Sequence, residues 1–390
     1  MKPLKESSKA SGSASAIRKF LFEISSKMPD VINLGIGEPD FDTPKNIKEA
    51  AKKALDEGFT HYTPNAGILE LREAIAKKLK EENRIEANPE TEIIVTLGGM
   101  QALHFALSSI LDKGDKVLVP TPAWSAYVPA ISIVGGIPIE VSTSEKNEFK
   151  VSIEDLKKCL KKKTKAIIVN SPNNPTGSVL DKHEIEEIAD FAIEHDLMII
   201  SDEIYEKFIY EGEHFSIASL EGLKDKVITI NGFSKTYAMT GWRIGYAIAN
   251  EDIISKMLKH QMYDATCPPA FIQKAAIEAL TGPQDSVKIM KEEYNKRREL
   301  VYKRLNEING IFAIKPKGAF YIFPSIKSFK ISSEEISKYL LEKARVMILP
   351  GSMFGECGEG YIRISYAIAY EKLKIALDKI SDALSQIAIK

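Results

Sequence analysis

Lys235 is the residue whose setting most clearly departs from its type. It stands in VITINGFSKTYAMTGWRIGYAIA, with apolar runs on both sides and Ser234, Thr236, Tyr237 and Arg243 close by. A lysine is normally held in water by its charge. In a desolvated loop beside a second cation its amine gives up its proton more readily, which is what Schiff-base chemistry with a carbonyl compound requires. Asp202 directly follows the apolar run LMIIS. A carboxylate at the end of a buried strand is costly unless a cation or an N–H meets it. A helix or turn cap would serve, but a protonated ring nitrogen is the better partner, because holding that nitrogen protonated turns the ring into an electron sink. The segment GGMQAL, from Gly98, turns from strand into helix and aims free backbone N–H groups and a positive dipole end at whatever lies beyond, which suits a phosphate. Other glycine patterns fail as motifs. GIGEPD lacks the sixth glycine of a dinucleotide fingerprint, GECGEG precedes a strand, and GFSKT misses the last position of a nucleophile elbow.

The elements that must position these residues alternate short apolar runs with amphipathic stretches. IIVTL precedes a helix from Met100, KVLVP and AIIVN follow, a helix from Asp181 leads to LMIIS, and VITI closes the series. This order predicts an α/β fold, a large mostly parallel sheet flanked by helices. Ligands in such sheets sit beyond the carboxyl ends of the strands. There the chain places Gly98, Gly99 and Met100 after IIVTL, Trp124 after KVLVP, Asn174 after AIIVN, Asp202 and Tyr205 after LMIIS, and Ser234 and Lys235 after VITI. Beyond Gly282 a long helix over roughly 285–307 precedes the strands GAFYIF and YIRISYA, a smaller α+β unit. The first forty-odd residues have no βαβ pattern of their own and are expected to pack on that unit. The predicted division is a large domain over 46–284 and a discontinuous small domain over 1–45 plus 285–390.

Composition excludes several classes. The 390 residues are 44% hydrophobic and 27% charged, a globular profile. A formal net charge of −1 gives no bulk attraction to nucleic acid. The lysine run between Lys157 and Lys165 reads as a solvated helix end. Cys159, Cys267 and Cys357 are odd in number and scattered, without metal or redox spacing, so reduced thiols, no metal site and a cytoplasmic location are expected. No stretch reaches the length of a membrane span, and no membrane partner is expected.

Six segments together make a resemblance to the fold-type I, class I aminotransferases, enzymes that use pyridoxal 5′-phosphate. They are GEPDFDTP from Gly37, HYTPNAGILELREAI from His61, NSPNNPTG from Asn170, SDEIY from Ser201, NGFSKTYAMTGWRIGY from Asn231 and RISYA from Arg363. The resemblance implies a ping-pong transfer of the α-amino group of an L-amino acid (aromatic, glutamate or aspartate type) to a 2-oxo acid such as 2-oxoglutarate. It implies that Lys235 carries the cofactor as a Schiff base and shuttles the substrate proton, that Asp202 holds the pyridine nitrogen, and that Tyr205 and Asn174 bond the 3′-oxygen. Trp124 would stack on the ring, while Ser234, Arg243 and the N–H groups of Gly99 and Met100 hold the phosphate. Arg363 would fork onto the substrate α-carboxylate, Gly37 would leave room for substrate, and Tyr62 would reach the phosphate of a neighbouring subunit in a homodimer.

Two positions depart from the family pattern. Gly232 replaces a frequent serine three residues before the lysine, so the phosphate leans on Ser234 and Arg243. Met100 stands where some bacterial aspartate aminotransferases of the same subgroup carry a carboxylate-binding lysine, which opens the site to aromatic or apolar donors. QMYDATCP and HYTPNAGILELREAI resemble archaeal aromatic and kynurenine-type enzymes in the same sense. A distal carboxylate would then be met by backbone N–H groups, serines such as Ser15, or water. The alternatives are a strict aspartate aminotransferase, a C–S β-lyase on the same scaffold, and a regulatory binding module, for which the segment before Gly37 is too short to hold a DNA-binding unit with its own core.

Overall fold

The computed structural model describes residues 23, 27, 28 and 30–387. A two-residue strand, β1 (Ile32–Asn33), precedes the main sheet. That sheet has seven strands: β2 (Ile93–Thr96), β3 (Lys116–Thr121), β4 (Ile137–Ser142), β5 (Thr164–Asn170), β6 (Met198–Asp202), β7 (Val227–Gly232) and β8 (Gly245–Ile248). Their order is β2-β8-β7-β6-β5-β3-β4. All neighbours are parallel except β8, which runs antiparallel to both β7 and β2. Consecutive residues of β5 and β6 are apolar because both faces are covered. Ile168 and Ile200 pack with the helix Gly99–Ile110 on one face, while Ile167 and Ile199 pack with the helix Lys182–Glu194 on the other. Each buried isoleucine or leucine contributes about 2 kcal/mol. The helix Lys182–Glu194 starts where it does because Asp181 and Glu184 form a capping box.

Strands β4 and β8 are additions to the sequence reading. In the sequence RIGYAIA reads only as apolar surroundings of Lys235, whereas Gly245–Ile248 within it form β8, which runs antiparallel to both of its neighbours. Lys157 and Lys158 lie in the last turn of the helix Ile153–Cys159, where positive charge suits the helix dipole.

The C-terminal part begins with the helix Asp285–Asn306, one residue shorter than expected. Four short strands follow: β9 (Tyr321–Ile322), β10 (Val346–Met347), β11 (Leu349–Pro350) and β12 (Ile362–Ser365). Of GAFYIF only Tyr321 and Ile322 are strand. β11, β12 and β9 form an antiparallel sheet, and β1 pairs in parallel with β10. Their core takes in Leu34 from the N-terminal side and Tyr205 and Phe208 from beyond β6. The end of β6 is therefore where the two halves of the molecule meet.

Candidate active site

The carboxyl ends of five strands open on a cavity of about 440 Å³. It is lined by every residue expected at the site except Tyr62: Gly37, Gly99, Met100, Trp124, Asn174, Asp202, Tyr205, Ser234, Lys235, Arg243 and Arg363. Tyr62 is 88% exposed and lies outside the cavity of its own chain. Ser15 lies outside the described residues.

Asp202 ends β6. Its Oδ2 accepts the Tyr127 hydroxyl at 2.6 Å, and its Oδ1 accepts the Ile204 N–H at 3.2 Å. Burial pushes this carboxyl up from its ordinary range, and those two donors push it back toward the ionised form. Asn170 ends β5 opposite Asp202. Its amide donates to the Asp202 carbonyl at 3.0 Å, and its Oδ1 accepts the Asn174 N–H at 3.0 Å, so one side chain ties two strand ends to the NSPNNPTG loop.

Arg363 reaches the cavity from β12, with its guanidinium donating to Asn174 Oδ1 at 3.0 Å and to the Gly35 carbonyl. It stacks 4.5 Å from the ring centre of Tyr321. The Tyr321 and Tyr205 hydroxyls are 2.7 Å apart. Burial raises the Tyr205 phenol well above its ordinary range, so it is a neutral hydroxyl with a proton to donate. Gly37 leaves the space that Tyr321 fills, since a Cβ there would lie 2.0 Å from the Tyr321 hydroxyl.

Lys235 donates from Nζ to the Gly37 carbonyl at 2.7 Å. Burial lowers its amine from 10.5 to about 8. Arg363 and Arg243 push the same way, against Glu38 and Asp202. Arg243 holds a left-handed backbone at φ 55°, an arrangement that costs an arginine about 1 kcal/mol and accumulates at functional sites. Its Nη1 donates to the Thr240 carbonyl at 2.8 Å. Gly98, at φ 83°, caps the helix Gly99–Ile110, and a Cβ there would sit 2.8 Å from Arg243 Nη2. The absence of that Cβ lets a guanidinium lie against a helix N-terminus, a cradle for an anion.

The sequence reading missed Tyr127, Asn170, Tyr321, Glu38 and Thr240, all of which line the cavity. Asn170 carried the same signal as Asp202, a polar residue closing an apolar strand. The Thr240 hydroxyl bonds the Glu38 carboxylate, a contact across 202 positions that no local pattern announces.

An open sheet with a lysine, an acid and an anion cradle at its strand ends defines an enzyme that works on amines or carbonyl compounds. The chain belongs to the family described as aminotransferase class I and II, which it matches over residues 29–380. It is 58% identical over 375 residues to an aspartate aminotransferase of Pyrococcus abyssi, covering 95% of this chain and 96% of that one. It is 54% identical, with the same two coverages, to an aromatic-amino-acid aminotransferase of Thermococcus litoralis. The crystal structure of an aromatic aminotransferase from Pyrococcus horikoshii superimposes with a TM-score of 0.90 at 56% identity, over 94% of this chain and 99% of that one. The fold is that of the type I aminotransferases, and the protein is a transferase that moves amino groups between amino acids and 2-oxo acids.

Proposed function

We propose that the chain uses pyridoxal 5′-phosphate, bound covalently at Lys235, to transfer the α-amino group of L-amino acids to 2-oxo acids such as 2-oxoglutarate. The single observation that carries this reading is the convergence of Lys235, Asp202, Tyr205, Asn174, Arg243 and Arg363 on one cavity. The donor set fits the cofactor. A lysine amine near 8 suits a carbonyl carbon, the buried Asp202 carboxylate suits a ring N–H, and the Gly98–Arg243 cradle suits a phosphate. When bound, the cofactor supplies an electron sink for the charge that develops at the substrate Cα. Lys235 moves the proton at that carbon, and Tyr205 and Asn174 donate to the ring oxygen. Ser234, Arg243 and the N–H groups of Gly99 and Met100 hold the phosphate, while Trp124 covers the ring face. Arg363 holds the α-carboxylate by a two-pronged bond that lysine cannot make.

Ile36, Met100, Trp124 and Leu349 give the cavity an apolar part of its lining, which supports aromatic and apolar donors, with glutamate held through its α-carboxylate by Arg363. Strict aspartate use is the second reading, favoured by the name of the Pyrococcus abyssi relative. A homodimer is supported by the exposed Tyr62, Met262 and Tyr263, the last two beside Asp264, whose carboxylate accepts from Gln101, the neighbour of Met100, at 2.6 Å. A large domain over 46–284 and a small one over 1–45 plus 285–390 are supported by the cluster of buried residues around β9 to β12, to which only Tyr205 and Phe208 come from the larger part. Among the described residues no helix is long and apolar enough to cross a membrane. We place the enzyme in the cytoplasm. The test is a steady-state panel of amino donors with 2-oxoglutarate. Parallel double-reciprocal plots and glutamate formation are expected, whereas release of ammonia without a keto acid would make it a lyase.

A further inference from the structure

The end of β6 and the turn after it, residues 201–207, present two sets of residues. Asp202 and Tyr205 line the cavity, while Glu203 and Glu206 point away from it into a buried polar cluster. Glu203 Oε1 accepts hydroxyls from Ser201 and Ser216, each at 2.8 Å, and its Oε2 lies 2.9 Å from His214 Nε2. Glu206 accepts Lys78 Nζ and, at 2.7 Å, Asn83 Nδ2, and His214 Nε2 lies 3.8 Å away. Lys78 also donates to Asn83 Oδ1 at 2.7 Å. It ends the helix Leu69–Lys78, and Asn83 ends the π-helical turn Leu79–Asn83 that follows, a type of distortion often retained for function. Glu203, Glu206 and His214 bring ligand-type atoms within 4.8 Å of one another, but the cation among them is the Lys78 ammonium. Lys78 and Glu206 also border Thr236 and Tyr237, the two residues after Lys235, so the cluster backs both parts of the site.

The geometry points to this cluster as the positioning device of the acidic turn. Lys78, Glu206, His214 and Glu203 fix the direction of Asp202 and Tyr205 from behind, and the cluster is charge-balanced only while His214 is a cation. The inference rests on the cofactor-binding roles proposed above for Asp202 and Tyr205. On the more exposed side Glu82 lies 3.6 Å from Lys78 and is matched by Lys207 at 2.8 Å. That leaves the two buried carboxylates, Glu203 and Glu206, facing two possible cations, Lys78 and His214. Loss of one cation strands a charge in a medium where an unpaired charge is expensive. Burial alone would raise Glu206, yet Lys78, His214 and Asn83 outweigh it and hold it down to about 2. Burial likewise works against the His214 cation, and Glu203 and Glu206 overcome burial and Lys78 to raise it above its ordinary value. The cluster is therefore complete below that raised value and is undone as pH climbs through it.

The test uses the full chain freed of cofactor, in wild type, His214→Gln, Lys78→Met and Lys78→Met/Glu206→Met, which removes that ion pair and leaves Glu203 with His214. Amide exchange over 202–206 reports the turn itself, and the dissociation constant for pyridoxal phosphate reports the consequence. Exchange in Lys78→Met should quicken tenfold or more. His214→Gln, which keeps a donor for Glu203, should bind the cofactor about tenfold more weakly than wild type near pH 6, and the ratio should fall toward unity near pH 9, which cancels every titration the two share. The double variant should recover melting temperature while its dissociation constant stays raised, because apolar packing replaces the energy of a buried ion pair but not its direction. Unchanged exchange in Lys78→Met, a pH-independent ratio, or full recovery of cofactor affinity in the double variant would each overturn the inference. Exchange that quickens as expected in Lys78→Met beside an unaltered cofactor dissociation constant would instead remove the roles given to Asp202 and Tyr205.

Discussion

The Lys235 amine is bonded to the carbonyl of Gly37, 198 positions earlier, at 2.7 Å. A backbone carbonyl thus aims the amine into the cavity before any carbonyl compound arrives. Lys235→Ala should abolish the visible absorbance of bound cofactor and all turnover while the far-UV circular dichroism is unchanged. A borohydride-reducible adduct at full stoichiometry in that variant would assign the chemistry to another lysine.

Gly37→Ala should lower kcat/KM by at least about tenfold, because its Cβ would drive into the Tyr321 hydroxyl and part it from Tyr205. Tyr321→Phe separates the two effects. It removes the Tyr205 contact without crowding and should cost roughly 1 kcal/mol. Equal rates for Gly37→Ala and wild type would show that the loop yields.

Asp202→Asn should retain cofactor and lose roughly three orders of magnitude in kcat, since an amide stabilises a protonated ring nitrogen far less than a carboxylate does. Tyr127→Phe, which removes the 2.6 Å bond to Asp202, should lose about tenfold, the worth of one charge-assisted bond. A near-normal kcat in Asp202→Asn would reduce that residue to a cap of the turn.

The Lys235 amine near 8 sets the pH dependence of cofactor capture. Only the neutral amine attacks, so the capture rate of the cofactor-free protein should rise with pH and level off above about 8, well below the ordinary 10.5. Between those two values the unfolded chain binds the extra proton, so this lysine's contribution to stability improves as pH rises. Glu38 favours the ammonium, so Glu38→Gln should move the midpoint down. Stopped-flow absorbance across the pH range decides the sign.

Specificity should follow the apolar lining. Met100 is 41% exposed at the rim, and the cavity's cations are Lys235, Arg243 and Arg363, each with a partner or role already described. Glu38 adds a negative charge. Phenylalanine and tyrosine should therefore show kcat/KM at least comparable with aspartate, with 2-oxoglutarate as common acceptor. A large preference for aspartate over both aromatics would reverse this reading of Met100.

The residues legible in the sequence are those whose type conflicts with their local surroundings. A lysine in an apolar run and an aspartate at the end of LMIIS announce themselves, and the strand-end rule then gathers Asn174, Ser234 and the Gly98 turn. Tyr127 and Tyr321 were invisible for the opposite reason. Each sits in an apolar stretch where an aromatic is expected, and only the packed fold shows that one hydroxyl meets Asp202 and the other Tyr205. The antiparallel β8 was hidden because four apolar residues next to a chemically interesting loop read as its surroundings, and direction within a sheet is decided by pairing with β2, not by composition.

The bond between Arg363 and Gly35 spans 328 positions. A chain emerging from the ribosome N-terminus first has its lysine, its acid and its glycine cradle long before it has the arginine that closes the pocket. Contacts of such separation form late and slowly, after the loop entropy between them has been overcome. The 128 residues made between Lys235 and Arg363 are about a third of the chain, and over that stretch of synthesis the lysine exists without the arginine that completes the lining of the cavity.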